Sequence, residues 1–217
     1  MKRDELNYYA PAEIEKRSFA IITEELAQIG HEDWEESKAL VIKRAIHTTA
    51  DFSYAENLMF SEGAVEKGLE ALKQGSSIIT DTSMAMSGIN QRKLAELGGS
   101  VHCYMHDEEV AKEAKARGIT RAAVSMEHTA GAGEDYIYAI GNAPTALVAL
   151  YDLVKEGRLH PKLIIGVPVG FVNVVEAKEL IMQLDVPYIV ARGRKGGSNV
   201  AAAICNALLY QTGSGAL

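Results

Sequence analysis

The sequence predicts a single α/β domain over residues 1–217, built on a mainly parallel sheet with helices on both faces. Three observations carry that expectation. Short apolar runs rich in β-branched and aromatic residues alternate with helical segments through the second half of the chain. Three of these runs lead at once into glycine-bearing turns that open helices. No linker, repeat, low-complexity tract or charge block divides the 217 residues, a length that can bury one sizeable core.

The first half reads as helices. Pro11 suits an early helical position, and Ile14, Phe19, Ile22 and Leu26 recur at helical spacing until Gly30 stops a helix of about 18 residues. A second helix begins near Asp33 and runs through WEESKALVIKRAIH. Ser61 is placed to cap a third, SEGAVEKGLEALKQG, which ends at Gly75. The expected strands are then SSIIT (76–80), VHCYM (101–105), DYIYAIG (135–141), KLIIGV (162–167) and PYIVAR (187–192). Between and after them lie the helical segments QRKLAEL, DEEVAKEAKARG, PTALVALYDLVKEG, NVVEAKELIMQL and SNVAAAICNALLY.

Composition narrows the function. The chain is 47% apolar and 24% charged with a net charge of −7, which argues against a nucleic-acid surface, since neutralising phosphates needs a basic field. No run approaches the roughly 18 apolar residues of a membrane span, and the charged N-terminus MKRDELNYYAPAEIEKR is unlike a secretory signal, so a cytoplasmic protein is expected. Cys103 and Cys205 form no CxxC or Cys/His pattern. Both are expected to be reduced and buried, with neither a disulfide framework nor a structural zinc site.

Open parallel sheets bind ligands beyond the carboxyl ends of their strands. Three loops leave those ends: GNAPT (141–145), GVPVGFVN (166–173) and RGRKGGSN (192–199). Pro144 near a first turn, with Asn173 and Ser198 as caps, leaves free backbone N–H groups at the helix starts, and Arg192, Arg194 and Lys195 add positive charge. Tight strand-to-helix connections demand the same glycines for purely structural reasons. None of the loops fits GxGxxG or GxxxxGK[ST], so three of them on one edge point to a large anionic ligand rather than a nucleotide.

Arg44 and His47 stand three residues apart on the second helix, which puts them on one face where a single ligand could touch both. On spacing alone His47 is either a reagent or a half-buried histidine at a helix end. Asp81 and Thr82 follow a strand directly and are placed for ligand contact. His102 and His106 have a spacing that could set two ligands near one metal, without an evident third. His128 lies among Glu127, Glu134 and Asp135, a possible metal or acid/base cluster. His31 and His160 sit in turn-like contexts. The methionines of DTSMAMSGI could line an apolar pocket or fill the core.

Six segments together, EKRSFAII (15–22), KRAIHTTADFSY (43–54), ITDTSMAMSGI (79–89), AIGNAPTAL (139–147), GVPVGFVNVVEAKE (166–179) and RGRKGGSNVAAA (192–203), resemble the precorrin-8X / cobalt-precorrin-8 methylmutase family of cobalamin biosynthesis. The resemblance runs through nearly the whole chain in the family's order. It implies an α/β fold, a homodimer and an isomerase that moves one methyl group of a corrin precursor from C-11 to C-12. By the family's R-x-x-H motif, His47 is the proton donor or acceptor and Arg44 binds substrate. By its R-S-F-A motif, Ser18 binds substrate too. Asp81, Arg192 and Arg194 are further substrate-contact candidates. No organic cofactor is implied; any cobalt arrives inside the substrate. HTTADFSYAENLMFS is closer to the cobalt-dependent branch, and transient handover of product to the next enzyme is conceivable. The competing readings are a non-catalytic corrinoid carrier, which would bind without conversion, and a nucleotide-dependent α/β enzyme.

Overall fold

The computed structural model describes residues 9–31, 33–130 and 136–213. Its helices are α1 (Pro11–Gln28), α2 (Glu36–Thr49), α3 (Tyr54–Asn57), α4 (Ala64–Lys73), α5 (Ser83–Gly88), α6 (Gln91–Glu96), α7 (Glu108–Arg117), α8 (Arg121–Thr129), α9 (Pro144–Lys155), α10 (Val174–Ile181) and α11 (Ser198–Gln211). The strands are β1 (Leu58–Phe60), β2 (Ile78–Thr80), β3 (Val101–His102), β4 (Ile137–Ile140), β5 (Leu163–Gly166) and β6 (Tyr188–Ala191). They form one sheet in the order β1-β6-β5-β4-β2-β3. All neighbours are parallel except β1, which pairs antiparallel with β6 through Leu58 and Ala191.

The short apolar runs become central strands because a strand covered on both faces has no use for a polar side. Every residue of β4 and β5 is buried. Alternation then sorts their side chains between two cores. Ile137, Ala139, Leu163, Ile165 and Ile189 point to one face, where they meet apolar residues of α1, α2, α4, α5 and α11. Tyr138, Ile140, Ile164 and Val190 point to the other, against α8, α9 and α10. Tyr138 hydrogen-bonds Thr129 at 2.8 Å, so even its hydroxyl is satisfied inside.

Several local expectations change. Strand β1 went unrecognised: three residues at a sheet edge carry too little periodicity to announce themselves. The run 101–105 keeps only Val101 and His102 as strand before a 3-10 turn at Tyr104–His106. Helix α8 is an addition to the expected elements, with Thr120 capping it by accepting from Ala123 N at 3.2 Å. Ser61 does not cap α4, whose N-cap is Gly63 at φ 64°; its hydroxyl instead accepts from Tyr188 N at 2.9 Å, beside β1. Ser198 is the first residue of α11 rather than its cap, and Asn173 holds the cap position of α10 at φ 56° without a side-chain capping bond. Helix α2 starts at Glu36, later than Asp33. Cys103 is only half-buried, whereas Cys205 is buried and its thiol pushed up to about 12 by burial. Asp135, the expected start of β4, lies outside the described residues.

Leu147, fully buried on α9 against the second core, tests that layer. Leu147→Ala should lower the unfolding free energy by about 2–5 kcal/mol, read from the urea midpoint at unchanged slope.

Candidate functional site

The carboxyl ends of β2, β4, β5 and β6 carry loops that are bound to one another. Asp81, directly after β2, is 1% exposed. Its carboxylate accepts from Gly141 N at 2.9 Å, Asn142 N at 2.8 Å and Ala143 N at 2.6 Å. Burial pushes this carboxyl up while the three N–H donors oppose the shift. The N–H groups of the GNAPT loop are therefore turned inward onto Asp81, and Asp81 organises the loop instead of standing open to solvent. Gly141 is needed by close approach, since a Cβ there would fall 2.6 Å from the Ser198 Cα. Thr82 and Ser198 hydroxyls meet at 2.8 Å, tying β2 to the start of α11.

The β5 loop, from Val167 to Asn173, is bound to its neighbours through Gly170 N to Arg194 O at 3.2 Å and Gly197 N to Val167 O at 2.9 Å. Beyond buried Val167 and Pro168 its side chains point out: Phe171 is 81% and Val172 77% exposed, with Val169 and, on α5, Met84 also exposed. The Arg194 guanidinium lies 5.5 Å from the Phe171 ring centre, a cation over an apolar platform. Of the other two cations of the β6 loop, Arg192 donates to Glu179 at 3.0 Å, and Lys195 reaches Asp51 at 2.6 Å and Ser53 at 2.9 Å. That bond to Lys195 is the main reason the Asp51 carboxyl sits below its usual range. It also links the chain just beyond α2 to the edge of the sheet.

Helix α2 ends at Ala50, in the left-handed region at φ 53°, and His47 occupies its last turn, exposed to solvent. The His47 ring lies 5.3 Å from that of Phe19 on α1. Arg44, one turn earlier, is buried: its guanidinium carbon stands 4.7 Å from the Phe19 ring centre and 5.3 Å from that of Tyr210. One terminal nitrogen pairs with Glu15 at 2.5 Å. The other, NH2, is buried with no hydrogen-bond partner among the described residues. Arg44 also lines a cavity of about 250 Å³ with Glu36, Ser37, Leu40 and Tyr210. Ser18 precedes Phe19 on α1, and its hydroxyl donates to Ile14 O at 2.9 Å. The structure thus gathers Arg44 and His47 around Phe19, with Ser18 beside it in sequence. It places Arg192 and Arg194 on a separate loop joined to that helix end through Lys195 and Asp51.

Comparison with known proteins gives the family. A precorrin-8X methylmutase family model matches residues 13–211. The chain belongs to that family. The cobalt-precorrin-8 methylmutase of Salmonella typhimurium is 44% identical over 204 residues, covering 92% of this chain and 95% of that protein. The cobalt-precorrin-8 methylmutase of Priestia megaterium is 40% identical, covering 94% and 90%. A precorrin-8X methylmutase from Pseudomonas aeruginosa is 40% identical over 167 residues, covering 76% and 80%. The crystal structure of precorrin-8X methylmutase from Thermus thermophilus superposes with a TM-score of 0.86 at 40% identity, covering 93% of this chain and 96% of that one.

In this methylmutase-family fold three of the remaining histidines have hydrogen-bond partners close by. His102 bonds Ser100 at 2.7 Å and His106 bonds Ser83 at 2.9 Å. His128 bonds Glu113 at 2.8 Å, within an ion-pair cluster that joins Arg117 to Glu113 and Glu127; Glu134 and Asp135 lie outside the described residues. Among the described residues no group of three or more His, Cys, Asp or Glu side chains could hold a metal ion, and no helix is long and apolar enough to cross a membrane.

The residue that sequence reading passed over is Lys178. Its position in an ordinary amphipathic helix, α10, gave no signal, yet it is 0% exposed. Its ammonium donates to Gly193 O and Lys195 O, each at 2.8 Å. Burial lowers its pKa from 10.5 to about 8. Below about pH 8 both folded and unfolded chains carry the proton and the fold bears the desolvation cost. Above it the unfolded chain binds more protons, so stability rises with pH until about 10.5. Urea unfolding from about pH 7.5 to about 9.5 should therefore move the wild type up relative to Lys178→Met, by at most about 3 kcal/mol. A difference independent of pH would show that the amine is not buried as a cation.

Proposed function

We propose that the protein moves the methyl group from C-11 to C-12 of cobalt-precorrin-8, or of metal-free precorrin-8X, giving cobyrinate or hydrogenobyrinate. His47 handles the ring proton, and Ser18 and Arg44 bind substrate. The observation that carries this reading is the pairing of an exposed His47 with Arg44 across the Phe19 ring. One group is open to solvent. The other is a buried cation with one nitrogen still unpartnered. A corrinoid is a flat apolar ring with carboxylate arms, and the β5 loop offers exposed Phe171 and Val172, with Arg194 over the Phe171 ring.

The chemistry asked of the chain is small. The methyl shift is a concerted rearrangement within the macrocycle, so the protein selects a reactive tautomer by placing one proton and holding the ring in one pose. Arg194, which has no carboxylate partner among the described residues, is the readier of the two loop arginines for a substrate arm; Arg192 would first have to leave Glu179. No organic cofactor is required, and cobalt enters only as cargo at the ring centre, away from the rearranging edge. Relatives bearing both substrate names lie at about 40% identity, which supports testing both forms. A homodimer belongs to the reading as well. Phe171 and Val172, with Ile14 and Ile21 on α1, are exposed apolar side chains of the kind a second copy covers. Transient handover of product to the next enzyme belongs to the reading too.

Incubation with precorrin-8X and with its cobalt form, followed by absorbance, tests the activity; binding without conversion would instead favour a corrinoid carrier. His47→Ala should reduce turnover by about 10²–10⁴-fold while leaving corrinoid affinity largely intact. Substantial turnover in that variant would remove His47 from the proton-handling role. Arg44→Ala should weaken corrinoid binding by about tenfold or more, since charge-assisted contacts of this kind are among the stronger hydrogen bonds. Unchanged affinity would show that Arg44 serves only Glu15.

A further inference from the structure

A buried ammonium without an acid partner is costly, because desolvation is repaid only in part by neutral acceptors. Lys178 is such a group. It is fully buried, and no carboxylate pairs with it among the described residues. Burial lowers its pKa. None of the charged side chains on the surrounding elements pairs with it among the described residues. On α10 itself these are Glu176 and Glu179, the latter held by Arg192. Helix α9 carries Tyr151, Asp152 and Lys155, and β6 carries Tyr188. The loop above brings Arg192, Arg194 and Lys195, all of the same sign as Lys178.

What the cation does touch is the inner side of the β6 loop. It takes the carbonyls of Gly193 and Lys195, and the N–H groups of residues 193–196 have no acceptor among the described residues. The turn is further fixed by Gly196, where any side chain would overlap the Val167 carbonyl. A loop with its carbonyls drawn in, its N–H groups unspent and a positive charge beneath it favours an anion.

We infer that Lys178 is a positioning residue for substrate: it holds the Gly193 and Lys195 carbonyls inward and sets a buried charge under residues 193–196, so that this loop receives one carboxylate arm of the corrinoid. The inference rests on the proposed corrinoid chemistry and deepens it by naming where an arm is held. Lys178 need not touch the ligand; it acts through the loop and through its charge. A neutral amine still has two N–H donors for the two carbonyls, so deprotonation removes the charge while leaving the loop held.

The test uses cobyrinate as the binding probe and cobalt-precorrin-8 as substrate, with wild type and Lys178→Met. The variant should bind cobyrinate about tenfold more weakly, the order expected for one charge acting on another across a partly buried path. Its kcat at saturation should stay within about threefold of wild type, because the proton-handling histidine is untouched. Wild-type affinity should fall as pH rises through about 8, and that inflection should be missing from the variant. Equal affinities with the same pH profile would overturn the inference. Should the variant not fold, calorimetry of the wild type in two buffers of different ionisation enthalpy decides instead. Proton uptake on binding near pH 8 is the expected result, and none would be fatal. A wild type that converts the substrate but fails these tests defeats the role of Lys178 alone, whereas one that binds no corrinoid defeats the functional reading and this inference with it.

Discussion

Covering a parallel sheet on both faces is the constraint from which the rest follows. Once Tyr138 and Ile164 are committed to one core and Ala139 and Ile165 to the other, the strands have no open surface along their length. The sheet itself can meet a ligand only at its strand ends. There the backbone changes direction within a few residues, and each turn must settle its own polar groups before it can offer any to a ligand. Asp81 shows how closely that accounting is kept. It absorbs three N–H groups of the adjacent loop, and without it they would be buried or open to water at that junction.

The architecture was legible because its signal is long-range and redundant: five apolar runs, each followed by a helix. What escaped was short or conditional. Strand β1 is three residues at an edge. Helix α8 shares its sequence window with a histidine and several acids that drew attention to side-chain chemistry instead of to the cap at Thr120. Ser61 and Ser198 were read as caps because serine suits that position, yet neighbouring glycines took it and left the hydroxyls to bridge distant segments.

The site was legible in part, and for different reasons at different residues. Arg44 and His47 share a helical face by spacing alone, and the structure keeps them together. That Arg44 would be enclosed between Phe19 and Tyr210 could not be read, since those rings come from α1 and α11, remote in sequence. Asp81 was singled out for following a strand, but only the fold shows that its partners are backbone N–H groups. Lys178 was invisible because a lysine in an amphipathic helix is normally on the wet side, and its inward turn depends on a loop many residues downstream.

The enclosure of Arg44 bears on how tightly anything can be held there. Glu15 already occupies one side of the guanidinium, so a newcomer with a carboxylate does not fill an empty socket; it exchanges with, or joins, a resident of the same charge. Occupancy is then governed by the difference between two similar interactions. Under the proposed function such a difference can be set by the residue at position 15 as readily as by the arginine, and it lets a strongly basic group serve a ligand that must eventually leave.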